Sequence, residues 1–418
     1  MKVAIVSTLP PVNTSLSEYG KFLVEGLSQV SDGQLEIDVL ADVPEESLDA
    51  DSLKEMQLPG LRVMRSWTFN QWKTPLKLAF KLLALRPDVV VFNLQFASFG
   101  NQKIPAMLGL STPMLLKKLG FKVITVLHNL PEAMELDQPY FAKNKLDKFL
   151  IQAGSNVATR LILQSDRLVV TLDKYKAILK DKYGANNVDV IGLGSYIKPA
   201  EKVHIPEKNS YLTFGKFGTY KRLEFLLDAF AELSADHPDI ELVIGGADHP
   251  STPGYMASIE AKYGHLKNVR FIGWIEDDDL PAVIRDCRAL ILSYESTAGS
   301  SGPLHLAASQ GKAVVAPDFG DFKLVARQEG VNLMFYNHKN AFDFKQKLEA
   351  LITGQVDLQK VGTQNLQMAR LHSSEKTARR YYNLIEEVHS KDLAEIRKPY
   401  GVKDAQEKAP MLLSQRSA

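Results

Sequence analysis

The chain has 418 residues, a formal net charge of +1, 45% hydrophobic and 24% charged residues. At roughly 150 residues per domain, this length predicts two or three domains with cores of their own. The composition excludes wholesale disorder, collagen and coiled coil, and the balanced charge gives no sign of a nucleic-acid partner.

Short β-branched runs alternate with longer helical periods, the pattern of βαβ units and parallel sheets. In the first half, strands are predicted at Val3–Ser7, Glu36–Leu40, Asp88–Phe92, Lys122–Leu127, Leu168–Thr171 and Val188–Ile191. Helices are predicted at Ser17–Ser28, Pro105–Lys118 and Asp173–Lys182. The pattern stops near Gly192–Ser195, and a polar stretch with Pro199 and Pro206 reads as a linker. A second series follows, with strands at Tyr211–Phe214, Glu241–Ile244, Val269–Phe271, Ala289–Leu292, Ala313–Ala316 and Leu333–Tyr336. Its helices are predicted at Lys221–Leu233, Asp278–Asp286 and Pro303–Gln310. A long helix from about Ser374 to Ile396 precedes a polar tail expected to be mobile. The expected architecture is α/β: two Rossmann-like doubly wound domains facing a cleft, at 1–195 and 196–373. The last helix is expected over 374–397 and the tail over 398–418.

The single cysteine, Cys287, excludes an intrachain disulfide and a cysteine-built zinc site, which fits a reducing compartment. No run of about 18 uncharged apolar residues predicts a membrane span, and Met1–Ser7 shows no signal-peptide core. A cytoplasmic location is therefore expected. The near-zero net charge hides an asymmetry. Glu25–Glu55 carries ten Asp/Glu and one Lys, whereas Arg62–Lys122 carries ten Lys/Arg and one acid, Asp88. The basic block points to an anionic partner surface. Within it, Trp67–Arg86 places Trp72, Lys73, Lys77 and Lys81 where they can lie on an anionic membrane. A crossover helix with a solvated lysine face accounts for the same residues equally well.

In open parallel sheets, ligands bind beyond the carboxyl ends of strands, so the informative motifs lie there. Gly215-Lys216-Phe217-Gly218-Thr219-Tyr220-Lys221 follows a strand and opens a helix. Its two ammonium groups can meet an anion at the helix N-terminus, although a turn with solvated lysines fits the pattern too. Ser300, Ser301 and Gly302, just before Pro303, are small donors at a second helix start, with Glu295 placed to accept from sugar hydroxyls. A Gly/Ser loop capping a buried helix is the plainer alternative. His128 ends an apolar strand and would face the cleft, where a purely structural histidine is the common case. Ser17 and Glu18 can start a helix aimed at the same cleft, and Gly273-Trp274 and Gly245-Gly246 also follow strands. Asp277-Asp278-Asp279 reads as helix N-capping rather than as a metal site.

Together, in this order, these motifs resemble the retaining glycosyltransferases of GT-B fold, particularly glycosyltransferase family 4. The likeness runs from Val3 to about Ile396 and is clearest in the second half. Gly215-Lys216 through Lys221 is similar to the family's donor-phosphate motif, with Lys216 where Arg is usual. Gly302-Pro303 through Gly311-Lys312-Ala313-Val314-Val315-Ala316 is similar to its helix and following strand. Leu127-His128-Asn129 is similar to the strand end whose His contacts the transferred sugar. Ser15 stands where the first glycine-rich loop usually has Gly. The family's second Glu falls, in register, on Leu306 and its first on Ala298, with Glu295 and His305 as the nearest stand-ins.

The resemblance implies sugar transfer from a nucleoside diphosphate sugar to an acceptor hydroxyl, with retention, without metal or other cofactor. It assigns catalytic roles to His128, Glu295, Lys216 and Lys221. Together with the loop reading above, donor binding is expected at Ser15, Gly215, Gly273, Trp274, Ser300, Ser301, Gly302, Leu304 and His305. A carbohydrate or lipid-linked acceptor is expected, as in polysaccharide or glycolipid assembly, with membrane association through Arg62–Lys122. A sugar-nucleotide epimerase of the same fold and a non-catalytic partner subunit are the rival expectations. A nicotinamide dehydrogenase is disfavoured, because the complete Gly-x-Gly-x-x-Gly fingerprint is missing after the first strand.

Overall fold

The computed structural model describes residues 1–12, 14–44, 61–133, 145–249, 251–296 and 301–390. Its first sheet is built in chain order from β1 (Lys2–Ser7), α1 (Ser15–Ser31), β2 (Glu36–Val43), β3 (Leu61–Thr68), α2 (Thr74–Leu85) and β4 (Val89–Leu94). Then come α3 (Lys103–Leu110), α4 (Thr112–Lys118), β5 (Val123–Leu127), α5 (Lys145–Ile162), β6 (Arg167–Val170), α6 (Asp173–Tyr183) and β7 (Val188–Val190). These strands pair all-parallel in the order β3-β2-β1-β4-β5-β6-β7.

The second sheet starts with β8 (Ser210–Phe217), α7 (Leu223–Asp236), β9 (Glu241–Asp248), α8 (Tyr255–Tyr263), β10 (Val269–Gly273) and α9 (Leu280–Arg285). It continues with β11 (Ala289–Ile291), α10 (Gly302–Ser309), β12 (Ala313–Pro317), α11 (Gly320–Glu329), β13 (Met334–Tyr336), α12 (Ala341–Ile352) and α13 (Leu358–Leu371). Its order is β10-β9-β8-β11-β12-β13, again all-parallel. The chain therefore forms two Rossmann-like doubly wound layers, and each order reverses beside its first strand, at β1/β4 and β8/β11.

The central strands read as continuous apolar runs because helices cover both faces. Along β1, Val3 and Ile5 join the core shared with α1, and Ala4 and Val6 point to the opposite core. The last helix, α14 (Ser374–Ser390), returns to the first sheet. Its Ala378, Tyr381, Ile385 and Val388 are buried in the core with Tyr19, Leu23 and Leu27 of α1. The Tyr381 and Tyr19 hydroxyls meet at 3.0 Å, and Arg167 pairs with Glu387 at 2.6 Å.

Local departures from the sequence expectations have local causes. β3 has no counterpart among the predicted strands: its arginines disguise an edge strand, in which Arg62 reaches the Asp38 carboxylate of β2 at 2.7 Å. Trp67 belongs to this strand, 2% exposed with its indole N–H on the Leu40 carbonyl, and so faces the core rather than a membrane. The predicted helix Pro105–Lys118 breaks at Ser111, whose hydroxyl donates back to the Leu108 carbonyl while Pro113 restarts the helix as α4. α1 begins at Ser15 because Thr14 caps it, its hydroxyl accepting from the Ser17 N–H at 3.1 Å. Asp279 precedes α9 without a capping bond from its side chain, and Asp277 pairs instead with Lys21 of α1 at 3.4 Å. The stretch 391–397 of the predicted last helix and the tail over 398–418 lie outside the described residues.

Candidate active site

The loops at the two topological switch points face each other across a cleft of about 1430 Å³. That exceeds the volume usual for one small-molecule pocket and leaves room for two substrates. The first sheet contributes Ser15, Glu18, Gln95 and His128. The second contributes Gly215, Lys216, Lys221, Trp274, Glu295 and the start of α10.

The floor of the second half is cationic. At Gly215 the backbone takes a φ of +125°, open in practice only to glycine. A Cβ there would lie 2.9 Å from Lys221 Nζ and 3.7 Å from the Pro303 ring. The same measurement shows that the Lys221 ammonium and the first turn of α10 share one seat. Gly246 is equally constrained, since a Cβ on it would sit 1.9 Å from the Gly215 carbonyl oxygen. The glycines thus let β8 and β9 close up beneath the cations.

Lys221 is 7% exposed, with Nζ 5.2 Å from the Phe217 ring centroid and 5.0 Å from that of Tyr294. Burial lowers its pKa to about 7, and neighbouring Lys216 pushes the same way. Lys216 reaches further into the cleft, over the Trp274 ring at 5.4 Å, and pairs with Glu18 of α1 at 2.8 Å. A site that holds two ammonium groups against their mutual repulsion, beside a helix N-terminus, favours a multivalent anion such as a diphosphate.

In the first half, His128 is buried, and its Nε2 lies 2.7 Å from Asn93 Oδ1. Asn93 Nδ2 donates to Ser7 Oγ and the Leu16 carbonyl, which turns Oδ1 toward the ring. Nε2 therefore carries the proton, and Nδ1 is left as an acceptor. Burial lowers the His128 pKa to about 4, so the ring is neutral near pH 7. Tyr19 packs edge-on against it with centroids 4.3 Å apart. A neutral, oriented acceptor suits a hydroxyl better than it suits a proton-transfer role.

The sequence-derived residues divide into those the cleft collects and those it does not. Ser15, His128, Gly215, Lys216, Lys221, Trp274, Glu295, Ser301 and Gly302 line it, and Ser300 lies outside the described residues. Gly273, Leu304 and His305 are not on the lining. Leu304 is fully buried under α10. His305 turns inward: Nδ1 meets the Ser301 carbonyl at 2.7 Å and Nε2 the Glu329 carboxylate of α11 at 2.7 Å. It therefore cannot stand in for a cleft carboxylate, and Leu306, at that register, lines the cleft itself. Lys221 sits in a tight turn ahead of α7 rather than at the helix start. Asn93 is not among the sequence-derived residues, although a lone Asn in the buried run Val89–Leu94 is a signal. Glu18 was legible only as a helix starter. Its pairing with Lys216, 198 residues away, needs the fold.

Among the described residues, no group of three or more His, Cys, Asp or Glu side chains converges as a metal site, and no helix is long and apolar enough to cross a membrane.

Residues 208–354 match the family model described as glycosyl transferases group 1, which spans the second sheet and most of its helices. Three solved structures share the fold over nearly the whole chain. Sucrose-phosphate synthase from Thermosynechococcus elongatus is 15% identical, with a TM-score of 0.69 over 93% of this chain and 99% of that one. Anabaena HepE, solved in complex with UDP-glucose, is 14% identical, with a TM-score of 0.66 over 93% of this chain and 100% of that one. The lipopolysaccharide outer core galactosyltransferase WaaB, in its apo form, is 16% identical, with a TM-score of 0.59 over 93% and 99%. The architecture is thus that of GT-B glycosyltransferases.

Proposed function

We propose that this chain is a metal-independent glycosyltransferase that moves a hexose from a nucleoside diphosphate sugar to an acceptor hydroxyl with retention at the anomeric carbon. The observation that carries the reading is the seat at Gly215, where Lys221, Lys216 and the first turn of α10 converge. HepE binds UDP-glucose and WaaB is a galactosyltransferase, which makes uridine diphosphate hexoses the first donors to test. The acceptor class in this reading is a carbohydrate or lipid-linked sugar, as in polysaccharide or glycolipid assembly.

The costly step is departure of the diphosphate. The bond from the anomeric carbon to the β-phosphate oxygen breaks, and its electron pair stays on the phosphate. Lys216, Lys221 and the α10 dipole meet that charge with donors already in place. The acceptor oxygen bonds to the same face of the sugar, and its proton passes to the departing phosphate. His128, neutral and pinned by Asn93, accepts from a sugar hydroxyl and orients the ring. Glu295, exposed at the cleft edge, takes the remaining hydroxyls in this reading.

Replacing one such cationic donor costs on the order of a hundredfold in rate. Lys221→Met is expected to lower release of nucleoside diphosphate by at least that factor while the protein stays folded, and EDTA is expected to leave the wild-type rate unchanged. Near-normal turnover in Lys221→Met would remove the phosphate role, and loss of activity with EDTA would remove metal independence. Leu306 in the cleft, where the resembled family has a carboxylate, favours one rival: a partner subunit that binds donor weakly and releases nothing. Donor binding without turnover across a panel of acceptors would select that rival.

A further inference from the structure

We infer that the outer face of α2 and α3 docks on an anionic lipid surface, an inference independent of whether the cleft transfers sugars. α2 is apolar on both sides. Its inward side chains Leu78, Ala79 and Leu82 are buried in the core, yet Leu76 and Phe80 on the outward side are 54% and 72% exposed, with Leu83 one turn on. A helix that is apolar all round is normally covered on all sides. α3 adds Ile104, 71% exposed, and Leu108 one turn later.

One knot of hydrogen bonds brings the two helices' leading ends together. Asn70, in the left-handed region at φ 60°, accepts at Oδ1 from the N–H groups of Asn101 and Gln102 at 2.9 and 3.2 Å. Its own N–H donates to the Phe99 carbonyl, so Trp72, 59% exposed, and Ile104 flank the same edge. That edge is the carboxyl end of the sheet, and Gln95 and Ala97, in the loop leading to α3, line the cleft. The apolar face therefore borders the cleft mouth.

Charge complementarity selects the occupant. Lys73 and Lys77 are exposed beside this apolar ridge, with Lys73 over the Trp72 ring at 5.1 Å. Lys118 is exposed at the end of α4. The only acid between Arg62 and Lys122, Asp88, lies at the far end of the sheet, accepting from the Lys2 N–H. Large apolar side chains flanked by lysines, on helices α2, α3 and α4 whose own sequences hold no acid, suit the interface of a bilayer bearing anionic headgroups.

The test is cosedimentation of the full chain with vesicles of mixed phosphatidylglycerol and phosphatidylcholine, against phosphatidylcholine alone, at low and high salt. Binding is expected only to the anionic vesicles and should weaken with salt. Each lysine at an anionic surface is worth roughly fivefold, so Lys73→Gln/Lys77→Gln should bind at least tenfold more weakly. Phe80→Ser should lose a similar factor without change in thermal unfolding, because the side chain makes little of the core. Trp67 is already buried, so a blue shift of tryptophan emission on vesicles that disappears in Trp72→Phe would place Trp72 in the interface. No binding to anionic vesicles would overturn the proposal, as would binding that ignores both variants. Self-association abolished by Phe80→Ser, without vesicle binding, would assign the face to a second copy instead.

Discussion

In the proposed reading, Lys221 trades stability for chemistry. Its depressed pKa means that the folded chain binds a proton less readily there than the unfolded chain does. Below about pH 7 the full cost of burying the ammonium is present, and it fades as pH rises from there toward the ordinary value of 10.5. Binding an anion reverses the balance, since the diphosphate raises the pKa again and takes up a proton. Donor affinity should therefore be greatest below about pH 7 and weaken as pH rises above it, until the pKa of the complex is passed. A nucleoside diphosphate sugar is the proper probe, because a diphosphate esterified at both ends keeps its charge over this range. Calorimetry in buffers of different ionisation heat checks the point: affinity that is flat from neutral to alkaline pH would show that Lys221 does not meet the phosphates.

At the scale of elements, the buried contact between α10 and α11 supports the seat from behind. Burial works against a charge on His305, but the Glu329 carboxylate beside it offsets this and raises its pKa above 6.5. The same pairing outweighs burial at Glu329 and holds its pKa below 4.5. The His305 contribution to stability is complete below the unfolded value and is lost as pH rises through the raised folded pKa. The Glu329 contribution is present above its unfolded value and lost as pH falls through its folded pKa. Between those limits the pair is ionic. Removing one partner from a buried pair leaves the other uncompensated, at about 3 kcal/mol, whereas removing both is close to neutral. His305→Leu should accordingly destabilise by about that much in urea unfolding, and His305→Leu/Glu329→Leu should recover most of it. Additive losses in the double variant would contradict the pairing.

For the molecule as a whole, the cleft is held by contacts that cross it. Glu18 and Lys21, on α1 of the first layer, pair with Lys216 and Asp277 of the second at 2.8 and 3.4 Å. Gln328 of α11 donates to the Thr171 carbonyl, and α14 returns to the first core. Glu18 occupies Lys216 with a carboxylate, so in the proposed reading an incoming diphosphate competes with a group already there. Glu18→Gln should strengthen binding of a nucleoside diphosphate several-fold by removing that competitor and its repulsion. Calorimetric titration decides it, and weaker binding in the variant would mean that Glu18 helps to assemble the seat rather than guarding it.

Much of this organisation was legible from local pattern. Continuous apolar strands such as Val89–Leu94 announce a parallel sheet, and Lys216, Lys221 and the Gly302–Pro303 helix start are legible as groups beyond strand ends, because strand burial, helix ends and glycine conformations are properties of neighbouring residues. What lay outside that reach was decided by contacts between distant segments. The stretch from Trp67 to Arg86 reads equally as a membrane-lying segment or a crossover helix until β3 pairs with β2 and buries Trp67. His305 reads as a donor ligand until α11 brings Glu329 to its other side. Asn93 fixes the His128 tautomer from 35 residues away. Sequence by itself determined which groups carry charge and which segments lie beyond strand ends. Only the tertiary structure decided which of those groups face one another, because side-chain direction and partner depend on how the two sheets and their covering helices pack.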